Sequence, residues 1–378
     1  MALIRRPLSD TERLDWLRLI RTENVGPVTF FRLLEQCGSA ARALQLLPEM
    51  ARRGGRSKPL RITSKAEAER EIAATARLGA RLLAACEPDY PAALAAIDDA
   101  PPLISLLGHG HLLSQGAVAV VGARNASLNG RRFAQQLARD LATAGLVVVS
   151  GLARGIDTAA HQGALPGGTV AVLAGGVDVI YPEENEPLYR RLKAEGALIA
   201  ECPVATQPQA RHFPRRNRLI SGLSLGVVVV EAAAKSGSLI TARFALDQGR
   251  EVLAVPGSPL DPRSEGPNAL IRQGATLVQS AADILEALAG LARPPLAERL
   301  QGDLFLAPPP ALVTPPADET ELARARTLVL ESLGPTPVPV DELIRGCQLS
   351  PPIVHTVVLE LELAGRVERR PGNQVNLI

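Results

Sequence analysis

The 378-residue sequence predicts an α/β protein. A central doubly wound, mostly parallel sheet lies between an N-terminal helical segment and a small C-terminal unit. Three observations predict it. Short β-rich runs alternate with helical segments between about residues 86 and 290. Most of those runs are apolar throughout, as strands buried on both faces of a parallel sheet are. A proline-rich stretch then divides this region from residues 319–378.

Composition narrows the class. Hydrophobic residues are 46% and charged residues 21%, with a formal net charge of +2, which excludes a disordered chain. Aromatics are only 3%, so the cores are aliphatic. The longest apolar runs, such as Gly226–Glu231, are strand-length and too short to span a membrane as a helix. Residues 1–10 lack the charged-then-apolar pattern of an export signal. Cys37, Cys86, Cys202 and Cys347 are far apart without CxxC spacing, which argues against a disulfide framework or zinc site and for a reducing cytoplasm. Among 41 basic residues only Lys58, Lys65, Lys193 and Lys235 are lysine. Arginine is the better fork for phosphate and the better stacking partner for bases, so the positions of the arginines matter.

Residues 1–85 read as a helical domain. Ser9 or Asp10 caps a run in which Leu14, Leu17, Leu19 and Ile20 follow helical spacing. Asn24-Val25-Gly26-Pro27 is a turn before a second helix. Such a pair can be a helix-hairpin-helix holding a DNA phosphate on backbone N–H groups; the incomplete signature favours a plain helical packing module. Residues 86–292 form the α/β domain, with strands expected at Ala117–Val121, Leu146–Ser150, Thr169–Leu173, Leu198–Ala200, Val227–Glu231 and Glu251–Val255, and helices such as Gly130–Ala144 and Gly237–Gln248. Residues 293–318 form a stiff, extended proline-rich linker. Residues 319–378 form a separate unit: helices over Glu321–Leu333, Val340–Gly346 and from Ser350 to about Gly365, then a hairpin turning at Pro371-Gly372-Asn373. Three helices and a hairpin are the pattern of a winged helix.

In an open parallel sheet, ligands bind at the carboxyl ends of the strands. Small residues recur there in five loops: Gly122-Ala123-Arg124 to Ser127; Gly151 to Arg154 and Gly155; Gly175-Gly176; Lys235-Ser236-Gly237-Ser238; and Pro256-Gly257-Ser258. Glycine lets backbone N–H groups approach an anion, and helix N-termini add positive potential. A phosphate-bearing ligand is the natural reading, with Arg124, Arg154 and Lys235 on the same loops. The first loop is not GxGxxG and no Walker motif occurs, so no dinucleotide or ATP cofactor is assigned.

The sharpest electrostatic feature is Arg211-His212-Phe213-Pro214-Arg215-Arg216-Asn217-Arg218, in a stretch with no acid between Glu201 and Glu231. Cations beside an aromatic suit single-stranded nucleic acid, because arginine neutralises phosphate and the ring stacks a base. Catalytic signatures are absent: no Cys/His pair, GxSxG elbow or HExxH occurs. Asp157 and His161 lie four apart and read as a structural pair on one helix face. His109 and His111 have no ligand-spaced companions, so no metal is expected.

The stretches Val120–Ser127, Ser150–His161, Phe213–Ser224 and Ser236–Arg243 closely resemble the DprA (Smf) family of DNA-processing proteins, in the right order from about Gly108 to Leu285. The flanks resemble, more loosely, the family's N-terminal sterile-alpha-motif-like domain and C-terminal winged helix. The resemblance implies a Rossmann-like, non-enzymatic DNA-binding domain that also forms a homodimer. It implies a protein that binds and protects single-stranded DNA taken up in natural transformation and loads the RecA recombinase onto it. By motif match, Arg124 is the leading DNA contact, followed by Arg154, Phe213, Arg216 and Arg218. Gly122, Ser127, Ser236 and Gly237 are the implied phosphate ligands.

Two other classes are weighed. Phosphoribohydrolases of the lysine-decarboxylase-like fold use PGGxGTxxE, but Lys235–Arg243 has no glutamate after Thr241. A pure adaptor would bind protein through its winged helix. That unit carries six arginines against seven acids from Thr320 to Ile378, and Glu360 and Glu362 on its third helix would oppose a DNA backbone. A protein-interaction or accessory role is therefore expected there, although Arg366, Arg369 and Arg370 sit on the wing.

Overall fold

The computed structural model describes residues 5–290, 319–370 and 372–378, so the proline-rich linker expected at 293–318 lies outside the described residues. The described chain divides into two compact units: residues 9–68 with 319–378, and residues 5–8 with 69–290.

The chain opens with helices α1 (Asp10–Arg21), α2 (Pro27–Cys37), α3 (Ala40–Arg53) and α4 (Lys65–Arg77). Ser9 caps α1 in a reciprocal capping box with Glu12. Pro27 starts α2 without losing an intrahelical bond, and Gly38 ends it in the left-handed conformation. Trp16 and Phe30 meet edge to face at 4.9 Å in the core of these helices.

The larger unit holds β1 (Arg81–Ala84), α5 (Ala92–Ala95), β2 (Leu103–Gly108), β3 (Ala117–Val121), α6 (Leu128–Thr143), β4 (Val147–Ser150), α7 (Ile156–Ala164), β5 (Thr169–Leu173), α8 (Glu186–Glu195) and β6 (Ala197–Ala200). It continues through α9 (His212–Gly222), β7 (Gly226–Val229), α10 (Gly237–Asp247), β8 (Glu251–Ala254), α11 (Glu265–Arg272), β9 (Thr276–Leu277) and α12 (Ala281–Leu288). Its nine strands run in the order β1-β2-β6-β5-β4-β3-β7-β8-β9. Pairings from β6 through β9 are parallel, whereas β1 with β2 and β2 with β6 are antiparallel. The expected parallel runs are present within a residue or two. The sequence reading did not foresee β1 and β2, which close one edge.

Strands β3, β4 and β5 are buried at every position, which is why they read as unbroken apolar runs. The order reverses between β3 and β7, and the crevice of an open sheet forms at such a switch point.

The second unit completes itself with α13 (Glu319–Ser332), β10 (Val338–Pro339), α14 (Val340–Cys347), α15 (Pro351–Leu363), β11 (Val367–Arg370) and β12 (Gln374–Leu377). The last three helices and a β10-β12-β11 sheet make the expected winged helix, around Val329, Leu343, Val357 and Leu361. It does not stand apart, because it clusters with the N-terminal helices. An added Cβ on Gly54 at the end of α3 would collide with the Glu360 carbonyl of α15, and Asn24 donates to the Leu363 carbonyl at 3.2 Å.

The turn weighed as a phosphate holder therefore engages α15. Glu360 is buried and paired with Arg326 at 2.7 Å, and Glu362 lies 3.6 Å from Arg369. These acids do not face outward, so the expected repulsion of a DNA backbone is replaced by burial. Residues 357–361 of α15 are buried all round, which keeps that stretch out of a DNA groove.

Candidate nucleic-acid interface

The candidate site is the set of loops after β3, β4, β5 and β7, and a buried polar network sets their shape. Asp157, at the start of α7, accepts from the Gly151 and Ala153 N–H groups at 3.1 and 3.3 Å. Arg216 of α9 donates to the Gly151 carbonyl at 2.6 Å and to the Val172 carbonyl. Arg216 is only 6% exposed, and the missing side chain of Gly151 makes room for its guanidinium. Burial pushes the Arg216 pKa down to about 10, against the pull of Asp157. It pushes Asp157 up, against the pull of Arg216.

The predicted Asp157–His161 pair does not form. His161 Nδ1 bonds to the Thr169 hydroxyl at 2.7 Å instead. That hydroxyl gives its hydrogen to the Val148 carbonyl, so Nδ1 carries the imidazole proton. Burial, reinforced by the Arg216 charge, depresses the His161 pKa to about 3.

Gly155, at φ +76°, brings the loop after β4 against the Ala123 and Arg124 carbonyls, where a Cβ would collide. Only glycine meets both demands at that point. The Ile156 N–H then bonds to the Ala123 carbonyl at 3.2 Å. Arg124 is presented outward from this braced turn.

The structure sorts the predicted residues. Arg124, Arg154, Arg211, Arg215 and Lys235 are exposed, Arg154 beside Glu184. Arg216 and Arg218 are buried among partners within the fold. Arg218 is 4% exposed, with Glu201 at 2.7 Å and Asp99 at 3.4 Å. The basic run is the helix α9, which turns these two arginines into the fold while Arg211 and Arg215 face solvent.

The proposed phosphate loops divide likewise. Both the N–H and the hydroxyl of Ser127 bond to Glu231, at 2.8 and 2.6 Å. The Gly151 N–H is held by Asp157, and the Gly176 N–H by the Thr206 carbonyl at 2.9 Å. Gly175 and Gly176 are buried against residues 203–208, and Gly122 packs on Ile156. These glycines serve close packing. Gly237 is open, beside Ser236 and Ser238, whose hydroxyls bond to each other at 2.7 Å.

One cluster remains outward. The Arg124 guanidinium lies 5.1 Å over the Phe213 ring, and Tyr181 lies 5.5 Å from Phe213 at 56°. Residues from the β3 loop, the β5 loop and α9 thus meet. Sequence reasoning missed Tyr181 and Glu231. An aromatic in a strand-end loop of so aromatic-poor a chain was the available signal for Tyr181; Glu231 carried none.

Among the described residues, no group of three or more His, Cys, Asp or Glu could hold a metal. His109 bonds to the Ala194 carbonyl at 2.8 Å. No described helix is long and apolar enough to cross a membrane. All four cysteines are free thiols.

The profile of the DNA recombination-mediator protein A family matches residues 81–289. A DprA-like N-terminal HHH domain matches residues 10–74 and a DprA winged helix domain residues 313–373. Protein Smf of Escherichia coli is 43% identical over 294 residues, spanning 76% of this chain and 75% of that one. The DNA processing protein DprA of Bacillus subtilis is 45% identical over 222 residues, spanning 58% and 75%.

The X-ray structure of DprA from Streptococcus pneumoniae superposes with a TM-score of 0.61 at 35% identity, covering 74% of this chain and 98% of that one. The Helicobacter pylori DprA structure, which concerns a single-stranded DNA binding mode, superposes at 0.52 and 29% identity, covering 56% and 96%. The chain belongs to the DNA recombination-mediator protein A family, also called DprA or Smf.

Proposed function

We propose that this protein binds single-stranded DNA at the strand ends of its central sheet and delivers it to the RecA recombinase, as a binding protein rather than an enzyme. The observation that carries this reading is the outward cluster of Arg124, Phe213 and Tyr181, with Arg211 and Arg215 exposed on the same helix start as Phe213. Cations neutralise phosphates and rings accept bases, without a device for reading base edges. Family membership and the Helicobacter pylori relative support the ligand. The phosphoribohydrolase alternative lacks its glutamate after Thr241.

A homodimer would present two such grooves, so a long strand would bind by avidity. The reading places the protein in the cytoplasm. It assigns DNA binding to the central domain and makes the winged helix an accessory.

Fluorescence anisotropy with labelled single- and double-stranded oligonucleotides across a salt series tests this. The expected result is a strong single-strand preference. Affinity should fall with salt at a slope of about −0.7 per phosphate engaged. Arg124→Ala should make the slope shallower by roughly one such increment. Absence of single-strand binding by folded protein refutes the reading.

A further inference from the structure

Between Glu49 and Glu67 the chain carries Arg52, Arg53, Arg56, Lys58, Arg61 and Lys65 and no acid. This run spans the end of α3 and the start of α4, and the single-strand site uses none of it. Partners sort its cations. Arg53 pairs with Glu49, Arg56 with Glu23 at 2.8 Å and Arg61 with Glu67 at 3.2 Å. Arg52 and Lys58 are exposed and have no carboxylate partner among the described residues.

A third unpaired cation joins them from the far end of the chain. Arg366, exposed just before β11, lies against Gly55, its Nη1 3.2 Å from the place a Cβ would take. Arg56 ties the two segments together. Its Nε donates to the Lys58 carbonyl at 3.0 Å, and its Nη1 lies 3.8 Å from the Cβ position of Gly365. A cation in the last turn of α3 complements the helix end, which accounts for Arg52 on its own. It accounts for neither Lys58 nor Arg366. Like charges repel, so cations held on one face without acids are stabilised by an arriving anion.

The surroundings select that anion. No large hydrophobic is exposed between residues 50 and 66, whereas a protein interface centres on apolar and aromatic side chains and is depleted in lysine. No aromatic occurs in the same stretch, so bases have no ring to stack on. What remains is recognition of phosphates, which are densest along a duplex. We propose that Arg52, Lys58 and Arg366 form a second nucleic-acid site, which takes the phosphate backbone of duplex DNA. It shares no residue with the single-strand cluster.

The test uses the full chain and fluorescence anisotropy across a salt series, with a labelled duplex and a labelled oligothymidine. Wild type is compared with the triple variant Arg52→Gln, Lys58→Gln, Arg366→Gln. A control triple, Arg190→Gln, Arg191→Gln, Lys193→Gln, removes the same charge from exposed positions on α8. Both are matched to wild type by circular dichroism. Each phosphate contact contributes about 0.9 to the duplex salt slope, so the first triple should flatten that slope by about 2.7 relative to the control. Its oligothymidine slope should equal the control's.

Equal duplex slopes for the two triples, or equal flattening on both ligands, overturn the proposal. Failure of wild type to bind duplex overturns it and leaves the single-strand reading standing; failure to bind oligothymidine alone overturns that reading instead. A footprint of wild type needs no variant. Lysine acetylation mapped by mass spectrometry should show Lys58 protected by duplex while Lys193 stays reactive. Lys58 equally reactive with and without duplex would refute the site.

Discussion

Replacing Arg216 with alanine should destabilise the central unit far more than it alters any surface chemistry. The guanidinium is 6% exposed and donates to the Gly151 and Val172 carbonyls. It faces Asp157, which is itself buried and whose pKa burial raises. Truncation strands that carboxylate and two acceptors without their cation. Breaking a buried pair from one side costs about 3–5 kcal/mol. For a domain of this size, each kcal/mol lowers Tm by about 2–4 °C, so the central transition should drop by roughly 6–20 °C.

Differential scanning calorimetry of the full chain reads this directly. Arg216→Lys keeps the charge but not the fork and should fall between. Arg124→Ala, on an exposed side chain, should leave the transition in place while weakening DNA binding. An Arg216→Ala protein that melts like wild type but has lost single-strand affinity would refute the argument, since it would make Arg216 a contact and not a support.

Two further outcomes follow from buried features. His161 has a folded pKa near 3, below its ordinary 6.5, so its contribution is complete above pH 6.5 and is lost as pH falls toward 3. Between pH 7 and 5 this amounts to about 2 kcal/mol, measurable in urea titrations as a difference in pH dependence between wild type and His161→Leu; parallel profiles would count against it. Gly54→Ala should push α3 away from the Glu360 carbonyl and cost the composite helical unit about 1–3 kcal/mol, leaving the sheet unit's transition unmoved. Two unshifted calorimetric transitions would contradict that packing.

Much of the central sheet was legible because strands buried on both faces must be apolar at each position. Val118 to Val121, Val147 to Val149 and Val170 to Leu173 announce themselves in one dimension. The glycines after those strands were legible as close approaches, but not what approaches. Gly151 accommodates Arg216, and Gly176 receives the segment near Thr206. Neither turned out to have a backbone N–H free for phosphate. The edge strand β1 and its neighbour β2 escaped notice because they are antiparallel additions outside the βα rhythm.

The sequence by itself determined the βα alternation, the strand-end loops, the winged-helix pattern and the family. All of these rest on local periodicity and short motifs. Only the tertiary structure decided which members of the Arg211–Arg218 run face water. A linear run shows charge without direction, and helix α9 sends Arg216 and Arg218 inward to Asp157 and Glu201 while Arg211 and Arg215 stay outside. It also decided that Tyr181 meets Phe213, and that α15 meets α3 across some 300 residues of chain. Those contacts belong to pairs of distant surfaces, and no single stretch of sequence carries the shape of its partner.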